Sequence, residues 1–183
     1  MRTKIIFILL IVSLNSFSYI LPYFQQQRIY FKETIKSKSY NKVSFKIEDK
    51  EYTIDKSMKS SKDPLTYILS NLFTSHEKAL NRFLKKHHIN SIKKHYTLFN
   101  DIPTIVYGSD KKTNISEENG FISQIWLNNE KAYPVKAIFK LNNEVVIAEF
   151  NEFNNLKYKY MFPTKVTITV NGTKTVYQLT NFK

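Results

Sequence analysis

Tyr133-Pro134-Val135-Lys136 and Phe162-Pro163-Thr164-Lys165 punctuate the last third of this chain, and each opens a run of alternating apolar and polar residues. Proline fixes φ and has no N–H to give to a ladder, so within a sheet it belongs at a strand's first residue or on an edge. Each phrase therefore predicts a strand start. After the first, Val135, Ala137 and Phe139 share a face, Asn142-Asn143 makes a turn, and Val146, Ala148 and Phe150 return opposite in facing to Val145, Ile147 and Glu149. After the second, Val166, Ile168 and Val170 run to Asn171-Gly172, a pair that reaches φ > 0 readily and suits a type I′ hairpin, and Thr175 to Leu179 come back. Gln124-Ile125-Trp126-Leu127-Asn128 reads as one strand more. Residues 122 to 181 thus predict five antiparallel strands in sequence order.

Outward toward the amino terminus, residues 28 to 56 alternate in the same way. Ile29 and Phe31 mark one strand; Val43, Phe45 and Ile47 face one way against Ser44, Lys46 and Glu48; Tyr52 and Ile54 follow an expected Asp49-Lys50 turn. Residues 19 to 27 form a short helix or simply lead into the first strand.

Between these blocks the period changes. Asp63 before Pro64 predicts an N-cap followed by proline at the first helical position, where its missing N–H costs nothing. Leu65, Ile68, Leu69, Leu72 and Phe73 then form one apolar stripe at helical spacing. Thr74 or Ser75 caps a second helix in which Ala79, Leu80, Phe83 and Leu84 make another stripe, ending in Lys85-Lys86-His87-His88, a basic last turn that suits the helix dipole. Each helix has one apolar face to cover something, either as permanent core or as a lid.

The Trp126-Leu127-Asn128 strand end, the Tyr133-Pro134-Val135-Lys136 start, the Glu149-Phe150 strand end and the Phe162-Pro163-Thr164-Lys165 start of the closing hairpin resemble the periplasmic lipoprotein-carrier superfamily, the LolA-like and LppX-like half-barrels. The resemblance covers residues 104 to 183. It implies an α+β fold: a curved antiparallel sheet, an incomplete barrel, with a helical pair packed on or lidding its concave face and lipid acyl chains held between. The implied acyl-chain site takes Leu65, Ile68, Leu69, Leu72 and Phe73 from the helix and Phe45, Ile47 and Trp126 from the sheet. The amino-terminal half departs from the pattern, which begins with a longer amphipathic helix and a wider run of strands.

The first eighteen residues fit that setting. Arg2 and Lys4 precede the apolar run Ile5 to Leu14, and Ser16-Phe17-Ser18 has the small-x-small form of a cleavage site, so residues 1 to 18 are expected to be a signal peptide and Tyr19 the mature start. The run is well short of the ~20 residues that span a bilayer. A soluble periplasmic domain over residues 19 to 183 is the expectation. With no cysteine there is neither a lipobox nor a disulfide, so about 165 residues must hold one ordinary hydrophobic core. The 15% aromatic content serves such a core and a lipid-binding interior equally well.

The charge is +13, or +11 once Arg2 and Lys4 are gone, and nearly all of it is lysine. Groove reading and planar phosphate recognition favour arginine, and no zinc-finger, RRM or helix-turn-helix signature accompanies the charge, so nucleic acid is not the expected partner. Lysines on solvated faces, or attraction to anionic membranes and head groups, remain as readings. Chemistry-bearing motifs are scarce: no Gly-x-Ser-x-Gly, no nucleophilic cysteine, no His-Glu-x-x-His, and only three glycines against any phosphate loop. His87, His88 and His95 lack a carboxylate at helical spacing and are expected at a helix end or in solvent; Glu117-Glu118 and the triplets Asn114-Ile115-Ser116 and Asn171-Gly172-Thr173 are expected on solvated loops and turns.

The function expected is therefore non-enzymatic and without cofactor or metal: a monomeric carrier of lipid or lipoprotein acyl chains between inner and outer membranes, in transient contact with a membrane or membrane proteins. The alternative is an exported adaptor that binds a protein or anionic envelope polymer through its lysines.

Overall fold

The computed structural model describes residues 42–73, 78–109, 121–156 and 160–183. The expected signal peptide, the strand at Ile29 and Phe31, the cap at Thr74 or Ser75, Glu117-Glu118 and the triplet at Asn114 fall outside them.

Nine strands and two helices are described, in the order β1 (Lys42–Ile47), β2 (Lys50–Asp55), a 3-10 turn (Lys56–Ser60), α1 (Pro64–Leu72), α2 (Lys78–Lys86), β3 (Lys94–Phe99), β4 (Ile102–Tyr107), β5 (Gln124–Asn128), β6 (Pro134–Leu141), β7 (Glu144–Leu156), β8 (Tyr160–Val170) and β9 (Thr173–Thr180). The strands make one open antiparallel sheet in the order β2-β1-β9-β8-β7-β6-β5-β4-β3. This is an α+β fold. The five-strand meander expected over residues 122 to 181 is β5 to β9, and β1 joins it by pairing with the last strand, Ile47 opposite Leu179. Lys183 extends that junction by exchanging backbone hydrogen bonds with Ser44 at 2.9 and 3.2 Å.

The two edges of the sheet are β2 and β3, which are consecutive in sequence apart from the helical segment. Lys56 to Lys93 must therefore carry the chain from one edge to the other, and it does so over one face. That face is defined by register: Phe45, Leu179, Val166, Ile168, Phe150, Ala148, Phe139, Ala137, Ile125 and Leu127 join α1 and α2 in a single hydrophobic cluster. Burial of apolar side chains on this scale is the main driving force of the fold.

Local chemistry sets the helix ends. Asp63 Oδ2 accepts from Thr66 N at 2.7 Å, capping α1 as expected. At the end of α2, Ile89 N donates to Leu84 O at 2.8 Å and His88 N to Lys85 O at 3.3 Å while His88 takes φ +54°, a Schellman ending with histidine where glycine is usual. Three hairpins turn on residues with paired positive φ: Asn100-Asp101, Asn142-Asn143 and Asn171-Gly172.

Two local expectations are corrected. The β1–β2 turn is Glu48-Asp49, one residue earlier than expected, with Lys50 already paired to Ile47. Pro134 does begin β6, but Pro163 sits inside β8, opposite Phe153. There the β8–β9 register has already ended at Lys165 and Gln178, and the β7–β8 ladder is itself interrupted beside the proline, where Glu152 takes φ +52° and has no place in the register.

Candidate functional site

The stripe of α1 lies where the helical period puts it. Leu65, Ile68, Leu69 and Phe73 are buried, and Leu72 packs partly buried against the same cluster. Phe45 of β1 is buried beside them and Ile47 lies at the margin. Phe73 meets the rings of Phe150 and Phe162 at 4.9 and 5.6 Å between centroids. Seven of the eight residues expected to line an acyl-chain site are thus brought to one face, where side chains pack directly against one another. Trp126 is not among them: it alternates with Ile125 and Leu127 of the cluster and points to the opposite face, half-buried.

On that opposite face Trp126 belongs to another group. Lys136 Nζ lies 2.8 Å from Glu149 Oε1, 5.2 Å from the Phe99 ring and 5.6 Å from the Trp126 ring. Asn100, at the tip of the β3–β4 hairpin, donates to Asn151 Oδ1 of β7 at 3.2 Å. The tip of that hairpin thus reaches across the face away from the helices.

Between the helices lies a buried polar pair. Tyr67 Oη and His87 Nε2 are 2.6 Å apart, with the imidazole among the rings of Phe83 at 4.5 Å and Phe139 at 4.8 Å, and Lys86 Nζ stands 4.6 Å over the Tyr67 ring. His87 lies at the helix end, one of the two places expected for it, but it is 8% exposed there and so buried rather than in solvent. The sequence held the signal: Leu80, Phe83, Leu84 and His87 continue one stripe at i, i+3, i+4 and i+7. Desolvation, with the charges of Lys86 and His88 adding to it, pushes the His87 pKa down to about 4. Its neighbours take other roles: His88 is exposed at the helix end, and His95 Nδ1 is 2.9 Å from the Ser109 carbonyl oxygen. Among the described residues no three His, Cys, Asp or Glu come together as a metal would need.

The helix-side face does not end where the helices do. Beyond β5 it continues through Ile105 and Tyr107 of β4 to Tyr96 and Leu98 of β3, paired Tyr96 with Ile105 and Leu98 with Pro103. Ile105 and Tyr107 still touch the cluster, whereas Tyr96 and Leu98 are 54% and 67% exposed. A groove of about 500 Å³ is lined by Tyr96, Thr97, Leu98, Pro103, Thr104 and Asn129. Burial, with the neighbouring Tyr96 phenol adding to it, raises the Tyr107 pKa, so its phenol stays neutral. This β3–β4 ribbon is missing from the sequence-based expectations. Its signal was present: Asn100-Asp101 separates two alternating runs, the spacing of a two-residue hairpin.

No protein-family model, no curated protein and no solved structure matches this chain. Its functional reading therefore rests on its own residues. Among those described, no helix is long and apolar enough to cross a membrane.

Proposed function

We propose that this protein is a non-enzymatic carrier of apolar chains, the acyl groups of a lipid or lipoprotein, held on the helix-side face of the sheet. The observation that carries the reading is the continuation of one apolar face beyond its helical cover, from the buried cluster through Ile105 and Tyr107 to the exposed Tyr96 and Leu98 and the groove beside them. The groove sets Tyr96, Leu98 and Pro103 beside Thr97, Thr104 and Asn129, and a concave site that joins apolar walls to a few polar groups is the usual form of a small-molecule site. An acyl chain needs nothing more, because each CH₂ removed from water contributes about 0.8 kcal/mol.

On this reading Tyr96, Leu98 and Pro103 receive the chain, and the α1 stripe with Phe45 and Ile47 lines the space it would gain if α1 moved away from the sheet. Transport through a periplasm between two membranes follows from the resemblance of the carboxy-terminal half and from the signal-like first eighteen residues. Titration with a fluorescent fatty-acyl probe tests the site: Leu98→Asp, at an exposed position, is expected to weaken probe binding at least ten-fold with the melting temperature unchanged. Equal binding by wild type and variant would remove the groove from the account.

A further inference from the structure

From Lys78 to Asn100 the chain carries six Lys or Arg and no Asp or Glu, and it exposes Ile92, Tyr96 and Leu98. The corner between α2 and β3 lies at its centre. Its shape is set from below by two buried anchors, His87 and Ile89, and from within by Asn90, whose Oδ1 accepts from Ile92 N at 2.9 Å and from Lys93 N at 3.3 Å. Gly108 N ties the same turn to β4 through the carbonyls of Asn90 and Lys93, at 3.1 and 2.9 Å. What the turn presents outward is Ile92, 86% exposed, with Lys85 and Lys86 before it in the chain and Lys93 and Lys94 after it, all four exposed although Lys86 Nζ also stands over the Tyr67 ring. Among the described residues none of these lysines has an ion-pair partner.

We propose that this α2–β3 corner docks on the surface of a membrane rich in anionic lipid, with Ile92 entering the head-group boundary and the four lysines resting against lipid phosphates. The charge carries the choice of partner. Uncompensated lysines next to an anionic leaflet each add about five-fold to partitioning, and a single apolar side chain at their centre gains only where there is a hydrocarbon boundary to enter. A nucleic acid would leave Ile92 in water, and the stretch offers a single arginine, Arg82, one turn back along α2, where planar phosphate recognition favours several. The proposal does not rest on the acyl-chain site, since it uses none of its residues, although the groove at Tyr96 and Leu98 lies two and four residues beyond Lys94 on the same strand.

The chain has no cysteine, so Ile92→Cys takes one environment-sensitive dye at a known place. The labelled full-length protein is mixed with phosphatidylcholine vesicles, with and without phosphatidylglycerol, at low and high salt. The dye is expected to shift to the blue only with phosphatidylglycerol and to lose the shift in high salt, while the same dye at Lys174→Cys on β9 does not move. Adding Lys93→Gln and Lys94→Gln should lower vesicle affinity roughly 25-fold. The unlabelled double variant, followed by vesicle flotation, repeats the comparison without cysteine or dye. A dye at position 92 that stays in water while the protein is on the vesicle, through Ile5 to Leu14 for example, overturns the proposal. So does equal binding to neutral vesicles, or an unchanged affinity in the double variant. Vesicle binding without uptake of the acyl probe would uphold the docking corner and defeat the carrier reading; probe uptake without vesicle binding would do the reverse.

Discussion

Acidification should destabilise this protein through one side chain. His87 is held by Tyr67 at 2.6 Å and enclosed by Phe83 and Phe139, with Lys86 and His88 as the nearest charges and no carboxylate among the groups that set its titration. Its pKa is lowered from the usual 6.5 to about 4. The unfolded chain therefore takes up this proton near pH 6.5, whereas the folded one refuses it until about pH 4. Between those values the unfolded state binds more protons, so stability falls as pH falls; above pH 6.5 the full contribution is present. The depression is worth up to about 3.5 kcal/mol, at about 1.4 kcal/mol for each pKa unit, a large share of the 5–15 kcal/mol typical of a domain. The assay is a denaturant midpoint at each half unit of pH from 7.5 to about 4, for the wild type and for His87→Gln, whose amide oxygen can still accept from Tyr67. Carboxylates titrate in both proteins, so the difference isolates the imidazole. At pH 7.5 the variant should be the less stable by about 1–3 kcal/mol, the cost of repacking among the rings, and the gap should close as pH falls. Parallel profiles, or an imidazole that titrates near 6.5 by NMR, would refute the buried pair and with it the packing of α2 on α1.

Further outcomes follow from the packing. Phe73→Ala empties a position between Phe150 and Phe162 and should cost about 3–5 kcal/mol by chemical denaturation; a loss below about 1 kcal/mol would mean that α1 is held loosely enough to open as a lid. Among the described residues two glycines have positive φ, and they should respond differently to alanine. At Gly172, φ +80°, a Cβ meets nothing, and only the left-handed strain of about 1 kcal/mol is expected. At Gly108, φ +104°, it collides with the carbonyl oxygen of Ser123, so Gly108→Ala should lower the melting temperature more than Gly172→Ala does.

What the sequence made legible depended on whether a feature was local. Asn142-Asn143 and Asn171-Gly172 named their turns because two-residue hairpins demand positive φ, and Asp63-Pro64 named a helix start because the cap and the proline act within one turn. The Glu48-Asp49 turn slipped by a residue because alternation fixes facing, not the point of reversal. Pro163 misled because the break in the ladder beside it, at Glu152, lies on the neighbouring strand. The β3–β4 ribbon was hidden by its lysines and histidine, which continue the basic end of α2 without a break in composition. His87 stands at the helix end as expected, but its burial there shows only when its i+4 relation to Phe83 is followed. The α1 stripe was legible as apolar, but core and lid require the same residues, and Trp126 could not be assigned a face without knowing which side of the sheet the helices would take.

The central claim is that an apolar chain is this protein's natural cargo. Mass spectrometry of the organic extract of the protein, purified without detergent from its own cells, tests that directly. The account predicts acyl lipid or lipoprotein near one per chain, displaced by the fatty-acyl probe and diminished in Leu98→Asp. An extract with no lipid above that of a control protein, from material that also fails to take up the probe, would contradict it.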